Sequence, residues 1–315
     1  MKLYGLIGRK LGHSFSARYF NSKFADENID AHYDLHEIED IAQLPGLIAG
    51  LPALRGLNVT IPYKQEVLPY LHSLTDSAKE IGAVNTIRVV QHPGLPPRLS
   101  GHNTDAPGFS MAIEPLLCGR RKALVLGQGG ASKAVIHALR RLGICVTRVS
   151  RTKSDTTLTY SDLSPEIMAE HDIIVNCTPL GMYPDVESAP DIPYELLSSR
   201  HLCFDLVYNP ETTEFMRRAA QRGAIVSNGL QMLINQAELA WRFWNEGETR
   251  RYMSRHIELR YADGATEIHT LAIAAVHRDA SGEITDVQIT PFTHELPSVE
   301  YLDTPLILNL PYPHP

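Results

Sequence analysis

Apolar runs and helical stripes alternate from the start of the chain. KLYGLIG (2–8) is a nearly continuous apolar run and predicts a buried strand. SARYFNSKFADEN (16–28) then places Tyr19, Phe20 and Phe24 on one side of a helix. HYDLHEI (32–38) and GLNVTI (56–61) predict two further strands, separated by a helix-like segment, IAQLPGLIAG (41–50), interrupted at Pro45. AVNTIRVV (83–90) and RLSGHN (98–103) flank a Pro/Gly turn and predict a hairpin. This alternation predicts a mostly parallel sheet with helices on its faces.

A helix-like run, APGFSMAIEPLL (106–117), leads into a second series. KALVLGQGGASKAVIHALRRLG (122–143) reads as strand, glycine turn and amphipathic helix. ICVTRVSR, DIIVNCTP, LCFDLVYNP and AIVSNG follow as strands, and LQMLINQAELAWRFWNE (230–246) closes the series as a helix. From about residue 248 the pattern changes to strand-like alternation around an Asp263-Gly264 turn, with a second turn at RDASGE (278–283) before ITDVQIT. This predicts a three-stranded meander, and the proline-rich tail from residue 296 shows no regular period. The fold class expected is α/β: an N-terminal α/β domain (1–105) completed by helix 230–246, a Rossmann-type domain (106–229), and a C-terminal β-rich extension (248–315).

Composition narrows the function classes. The chain has 315 residues, a formal net charge of −7 and 43% hydrophobic residues. No run of Lys/Arg forms a basic patch, so no nucleic-acid partner is expected. No apolar stretch approaches the roughly 20 residues of a membrane span. The N-terminal MKLYGLIGRKLGHS lacks the long apolar region and cleavage site of a secretory signal. Cys118, Cys145, Cys177 and Cys203 lack CxxC spacing and read as reduced, buried residues of a cytoplasmic protein. No His/Cys/carboxylate cluster has metal-ligand spacing.

Two sets of residues carry chemistry. GQGGAS (127–132) stands between a buried strand and a helix, where glycines let the backbone approach a pyrophosphate at the helix N-terminus. The next strand ends Ser150-Arg151-Thr152-Lys153, with two cations and no acid. An acid there would hold the 2′-hydroxyl of NAD; cations pair with the 2′-phosphate of NADP. The second set lies at strand ends of the first series: Ser14 and Ser16, Asn58 and Thr60, Lys64, Asn85, and Asn103-Thr104-Asp105. Hydroxyls, amides, one ammonium and one carboxylate suit a small polyhydroxylated carboxylic acid, with Lys64 and Asp105 as an acid/base pair. Taken singly, each has an ordinary structural alternative: Ser14 and Asp105 as helix caps, Asn85 as a turn residue.

HSFS (13–16), NVTIPYK (58–64), GAVNT (82–86), NTDAPG (103–108), GQGGAS (127–132), NCTPLGM (176–182), DLVYNP (205–210) and GLQMLINQ (229–236) occur in one order. In these motifs the chain resembles the shikimate dehydrogenase family, over residues 1 to about 246. The resemblance implies NADPH-dependent, reversible reduction of 3-dehydroshikimate to shikimate. It implies that Ser14, Ser16, Thr60, Asn85, Asp105 and Gln236 hold the substrate's hydroxyls and carboxylate, with Lys64 and Asp105 handling the proton. Tyr208 would lie near substrate and cofactor, and Gly229 near the nicotinamide. Gly127, Gly129, Gly130, Ala131, Ser150, Arg151, Thr152, Lys153 and Thr178 would hold NADP. Two positions depart from the family pattern: Ala17 stands where proline is frequent, and Ser150 where asparagine is common. Quinate or aminoshikimate as substrate, and a non-catalytic NADP/shikimate sensor, remain the alternative readings. The extension could serve as a dimerisation element of a homodimer, a lid or a separate module; His256, His269 and His277 read as surface strand residues.

Overall fold

The computed structural model describes residues 1–12, 14–92, 95–245, 253–260, 262–264, 266–278, 284–289, 300–301 and 306–309. His13, the turn at 279–283 and the side chains of His256, His269 and His277 lie outside the described residues. The chain divides into two compact units, Met1–Trp244 and Asn245–Pro315.

In the first unit, six strands form one sheet: β1 (Lys2–Gly8), β2 (Ala31–Glu37), β3 (Leu54–Val59), β4 (Ser73–Leu74), β5 (Thr86–His92) and β6 (Leu95–His102). Their order is β2-β1-β3-β5-β6-β4. The sheet is mixed, where the sequence predicts mostly parallel pairing: β1 runs parallel to β2 and β3, but β5 pairs antiparallel with both β3 and β6. β5 and β6 are joined by a two-residue link, which holds no crossover helix and so pairs them antiparallel. The helices here are α1 (Phe15–Asp26), α2 (Leu44–Ala49), α3 (Asp76–Ile81) and α4 (Asp105–Ile113). Pro45 falls in the first turn of α2, where its missing N–H costs nothing. Pro115 falls within a short 3₁₀ turn, Glu114–Leu116, after α4 ends.

The second sheet holds β7 (Lys122–Leu126), β8 (Cys145–Ser150), β9 (Thr157–Thr159), β10 (Ile173–Asn176), β11 (Leu202–Asp205) and β12 (Ile225–Ser227). It is all parallel, in the order β12-β11-β10-β7-β8-β9. This is the doubly wound dinucleotide-binding order, and its reversal lies between β7 and β10. The four residues of β10 and the four of β11 are buried, as strands covered on both faces must be. The helices are α5 (Gly130–Arg141), α6 (Pro165–Glu170), α7 (Glu214–Ala220) and α8 (Leu230–Asn245).

The C-terminal half of α8 packs against the first sheet, not the second. Ala237, Ala240, Phe243 and Trp244 join Tyr4, Phe20, Phe24 and Tyr33 in one buried cluster. The Trp244 indole donates to the Ile87 carbonyl at 3.0 Å. It lies so close to Gly56 that a β-carbon there would come within 2.4 Å of the ring, so only glycine fits. A second core runs from Phe109 and Ile113 of α4 through Val135 and Leu139 of α5 to Phe204 of β11. This shared core fixes the two sheets relative to one another.

The second unit contains β13 (Met253–Arg260), β14 (Thr266–Arg278), β15 (Ile284–Ile289), β16 (Glu300–Tyr301) and β17 (Leu306–Asn309). β13–β15 form an antiparallel meander. β16 and β17 both pair parallel with β13, so the aperiodic tail supplies two strands the sequence did not predict.

The cysteines depart from expectation. Cys203 is buried, Cys177 is half-buried, and Cys118 and Cys145 are exposed; all four are free. Cys145 opens β8 at the end where the strand leaves the sheet's cover, and Cys118 lies in a turn with positive φ. Among the described residues no helix is long and apolar enough to cross a membrane, and no group of His, Cys, Asp and Glu is placed to hold a metal.

Candidate active site

The loop after β3 brings Lys64 to the end of the first sheet, and the N-terminus of α4 brings Asp105 to meet it. Lys64 Nζ donates to Asp105 Oδ2 at 2.6 Å. The side chains are 16% and 9% exposed, so the pair is largely shielded from solvent. Asp105 is a buried carboxylate in the first turn of α4, where the helix dipole favours negative charge.

Asn85 is the hub behind this pair. Its amide donates to the other carboxylate oxygen, Asp105 Oδ1, at 2.9 Å and to Thr104 Oγ1 at 2.9 Å. Its carbonyl oxygen accepts from the Thr104 backbone N–H at 2.8 Å and the Thr86 hydroxyl at 3.1 Å. Gln236, from α8, reaches the same amide at 3.5 Å through Oε1. Asn85 is 2% exposed, and a buried amide with both ends bonded has one orientation. The network extends further. Asn58 donates to Thr86 and accepts from the Tyr33 hydroxyl at 2.7 Å, and the same phenol is hydrogen-bonded to Ser16. Burial holds Tyr33 well above the usual phenol range, so it remains a donor.

α8 reaches this hub because α4 lets it approach. A β-carbon on Gly108 would stand 2.9 Å from the Gln236 backbone nitrogen, and Asn235 donates to the Gly108 carbonyl at 3.1 Å. Ser14 occupies the N-cap position of α1, but its side chain makes no capping hydrogen bond. Thr60 follows β3, its backbone N–H bonded to Ile7 and its side chain half-buried. Tyr208 is half-buried against the edge of the Phe15 ring at 5.8 Å.

The glycine turn lies at the reversal of the second sheet. Gly127 has φ +108°, and a side chain there would meet the Cys177 carbonyl at 3.2 Å. Gly129 caps α5, and Ala131 follows in its first turn. A β-carbon on Gly130 would stand 3.5 Å from Cβ and Cδ of Lys64, so the turn directly adjoins the lysine. Beside it, Lys133 of α5 donates to Gln65 at 2.6 Å. Gln128 donates to Ser150 at 2.9 Å, and the Ser150 hydroxyl donates to the Thr152 carbonyl, which ties the end of β8 to the turn. A cavity of about 740 Å³ adjoins the turn; Gly127, Gln128, Thr152 and Lys153 contribute to its wall. Arg151 is exposed and does not line this cavity. Lys153 pairs with Asp162 at 3.0 Å; first the Thr159 N–H and then this lysine hold the Asp162 carboxyl down to about 2. Thr178 donates to Asn176 at 2.6 Å. Gly229 is packed so tightly on Leu206 that a β-carbon would overlap its carbonyl oxygen, which holds the start of α8 to the end of β11.

A dinucleotide fits these residues: free N–H groups open a twelve-residue helix, and the one sharp bend is a left-handed glycine. Of the residues singled out by sequence, Lys64, Asn85, Asp105 and Gln236 share direct hydrogen bonds. Ser16 joins through Tyr33 and Asn58, and Gly130 joins through contact with Lys64. Ser14, Thr60, Tyr208 and Arg151 share no hydrogen bond with that group. Sequence patterning does not single out Tyr33 or Gln65; it places Asn58, Thr86 and Thr104 among the polar residues at strand ends without showing which of them pair. A tyrosine in an alternating strand reads as core, and its hydroxyl partner lies on a strand distant in sequence.

Residues 6–87 match the family model described as the shikimate dehydrogenase substrate binding domain. The shikimate dehydrogenase (NADP(+)) of Clostridium beijerinckii is 37% identical over 260 residues, covering 78% of this chain and 93% of that protein. Shikimate dehydrogenase 1 of Peptoclostridium difficile matches with a TM-score of 0.68 at 36% identity, over 78% of this chain and 92% of that one. The shikimate 5-dehydrogenase of Thermus thermophilus, solved in complex with NADP(H) and shikimate, matches with a TM-score of 0.67 at 34% identity, over 78% of this chain and 94% of that one.

Proposed function

The chain belongs to the shikimate dehydrogenase family, and from that premise we propose that it catalyses the reversible, NADP-dependent reduction of 3-dehydroshikimate to shikimate. The observation that carries this reading is the position of Lys64, whose ammonium lies 2.6 Å from Asp105 and whose side-chain stem packs against the glycine turn at Gly130. When bound, NADPH supplies the hydride. Reduction of a ketone puts negative charge on its oxygen, and Lys64 stabilises that charge and delivers the proton. Asp105 holds the ammonium in place; in the oxidative direction the pair accepts the proton back. Ser14, Ser16, Thr60, Asn85, Gln236 and Tyr208 orient the ring and exclude water. Gly127, Gly129, Gly130 and Ala131 bind the pyrophosphate through backbone N–H groups. Ser150, Arg151, Thr152 and Lys153 select the 2′-phosphate, while Thr178 and Gly229 flank the nicotinamide half.

In this reading residues 1–105, with α8, form the substrate domain and 106–229 the cofactor domain. The protein works in the cytoplasm without a nucleic-acid partner, and a homodimer is the assembly to test by light scattering. The deciding experiment is kcat/KM for shikimate, quinate and aminoshikimate with NADP⁺ and NAD⁺, followed at 340 nm. Shikimate with NADP⁺ is expected to lead. A higher value for quinate or aminoshikimate would reassign the substrate. No turnover in folded protein that binds both ligands would make it a sensor.

A further inference from the structure

The cavity beside the glycine turn extends well beyond it. Its lining follows α5 from Ser132 to Arg140 and Arg141 in the last turn, and includes Arg148 of β8. From Gly130 to those arginines is about 16 Å of helix axis at 1.5 Å per residue. The wall holds five Lys/Arg and one acid, Glu80, on a chain whose formal net charge is −7. Two of the five cations are engaged: Lys133 with Gln65 and Lys153 with Asp162. The guanidinium groups of Arg140, Arg141 and Arg148 have no hydrogen-bond or ion-pair partner among the described residues. Helix-end electrostatics account for a cation in the last turn of α5. They do not account for Arg148, which lies inside β8 in register with Val125 on one side and Thr157 on the other.

Guanidinium forks match phosphate oxygens two at a time. The hydroxyl-bearing Ser154, Thr156 and Thr157 stand on the same wall. A concave wall with a net excess of cations concentrates anions even on an acidic molecule. One 2′-phosphate, taken at the end of β8, leaves these three guanidiniums unused. We propose that the arginine end of this cavity is a second anion site, filled at the same time as the cofactor site, for a free ligand carrying more than one phosphate charge. The proposal rests on the NADP reading above only in assigning the glycine-turn end to the cofactor.

The test is calorimetric titration of inorganic pyrophosphate, and in parallel of fructose 1,6-bisphosphate, into protein saturated with NADP⁺ at about 0.1 M ionic strength, where the Debye length is about 10 Å. Saturable binding at one site per chain is expected, weakened at least tenfold by the double substitution Arg140→Gln/Arg148→Gln. The circular-dichroism melt and the KM for NADP⁺ are expected to stay within error and within twofold of the parent. Either ligand binding in this way supports the site; the tighter one tells an inorganic polyphosphate from a phosphorylated metabolite. Absence of saturable heat overturns it. So does competition with NADP⁺, or a matching rise in KM for NADP⁺ in the double variant, because the arginines would then belong to the cofactor site. Shikimate oxidation measured on the same preparations reports the dehydrogenase reading separately: inactive protein that still shows arginine-dependent binding would sink that reading and keep this one.

Discussion

The two sheets present their polar residues in opposite ways. Beside the first, Asn58, Asn85, Thr86, Thr104 and Asp105 are buried and bonded to one another. Beside the second, Gln128, Arg151, Thr152 and Lys153 are exposed around a backbone turn. Buried hydrogen bonds are set before a ligand arrives and are expensive to leave half-made. Exposed cations act through charge, adjust freely and are screened by salt. In the proposed function the substrate side thus reads shape and hydroxyl direction, and the cofactor side reads charge. Substitutions that respect or violate this division separate the two.

The largest effect is expected at the junction. Lys64→Ala removes the proposed proton donor and leaves Asp105 without its partner. Turnover is expected to fall roughly 10²–10⁴-fold, with the circular-dichroism spectrum retained. Near-normal kcat would remove Lys64 from the chemistry and with it the link between the two sides.

Asp205 breaks the comparison from within, because it is a fully buried carboxylate on the cofactor-side sheet. Desolvation pushes its pKa from 3.8 up to about 6, although Thr213, the Val207 N–H and Asn176 donate to it. A carboxyl with a raised folded-state pKa holds its proton more tightly when folded. Its contribution is greatest below the unfolded value near 4, is lost as pH rises towards 6, and stays constant above. At 1.36 kcal/mol per tenfold in proton affinity, wild type is expected to lose about 2 kcal/mol relative to Asp205→Asn between pH 4.5 and 7. Urea unfolding at both pH values measures this; a difference independent of pH would mean that Asp205 titrates normally.

The parts of the site legible in sequence were those where one residue type implies one chemistry: a lysine past a strand end, glycines between strand and helix, cations where an acid would select NAD. The hub was less visible. Asn85 was legible as a candidate site residue, but not that Thr104 and Asp105 converge on it, and Tyr33 looked like core. Hydrogen bonds among distant segments leave no local period. The same holds for β16 and β17, which exist as strands because β13 offers them an edge. The exposed Cys145 shows the converse: strand character was legible, but not which end of the strand the helices cover.

Asn85→Ala tests whether the buried side is fixed by its own bonds. It leaves the Thr104 N–H and one oxygen of Asp105 without their partner, at a cost of roughly 1–3 kcal/mol. Stability by denaturant unfolding and KM for shikimate are both expected to suffer, while KM for NADPH is expected to hold. Parallel rises in both KM values would mean that the network supports the whole cleft and is not specific to the ring.

The smallest effect is expected on the exposed side. Arg151 has no buried contacts to lose, so Arg151→Glu should leave the melt unchanged and act only through charge. A charge-assisted hydrogen bond of about 1.5–3 kcal/mol corresponds to roughly tenfold or more in KM for NADPH. KM for NADH, which lacks the 2′-phosphate, should barely move. The wild-type preference for NADPH should also shrink as salt is raised, since solvent-exposed pairs are screened within about 10 Å at 0.1 M. Equal loss for both cofactors, or a preference indifferent to salt, would mean that the 2′-phosphate is read by buried groups, and the division between the two sides would fail at that point.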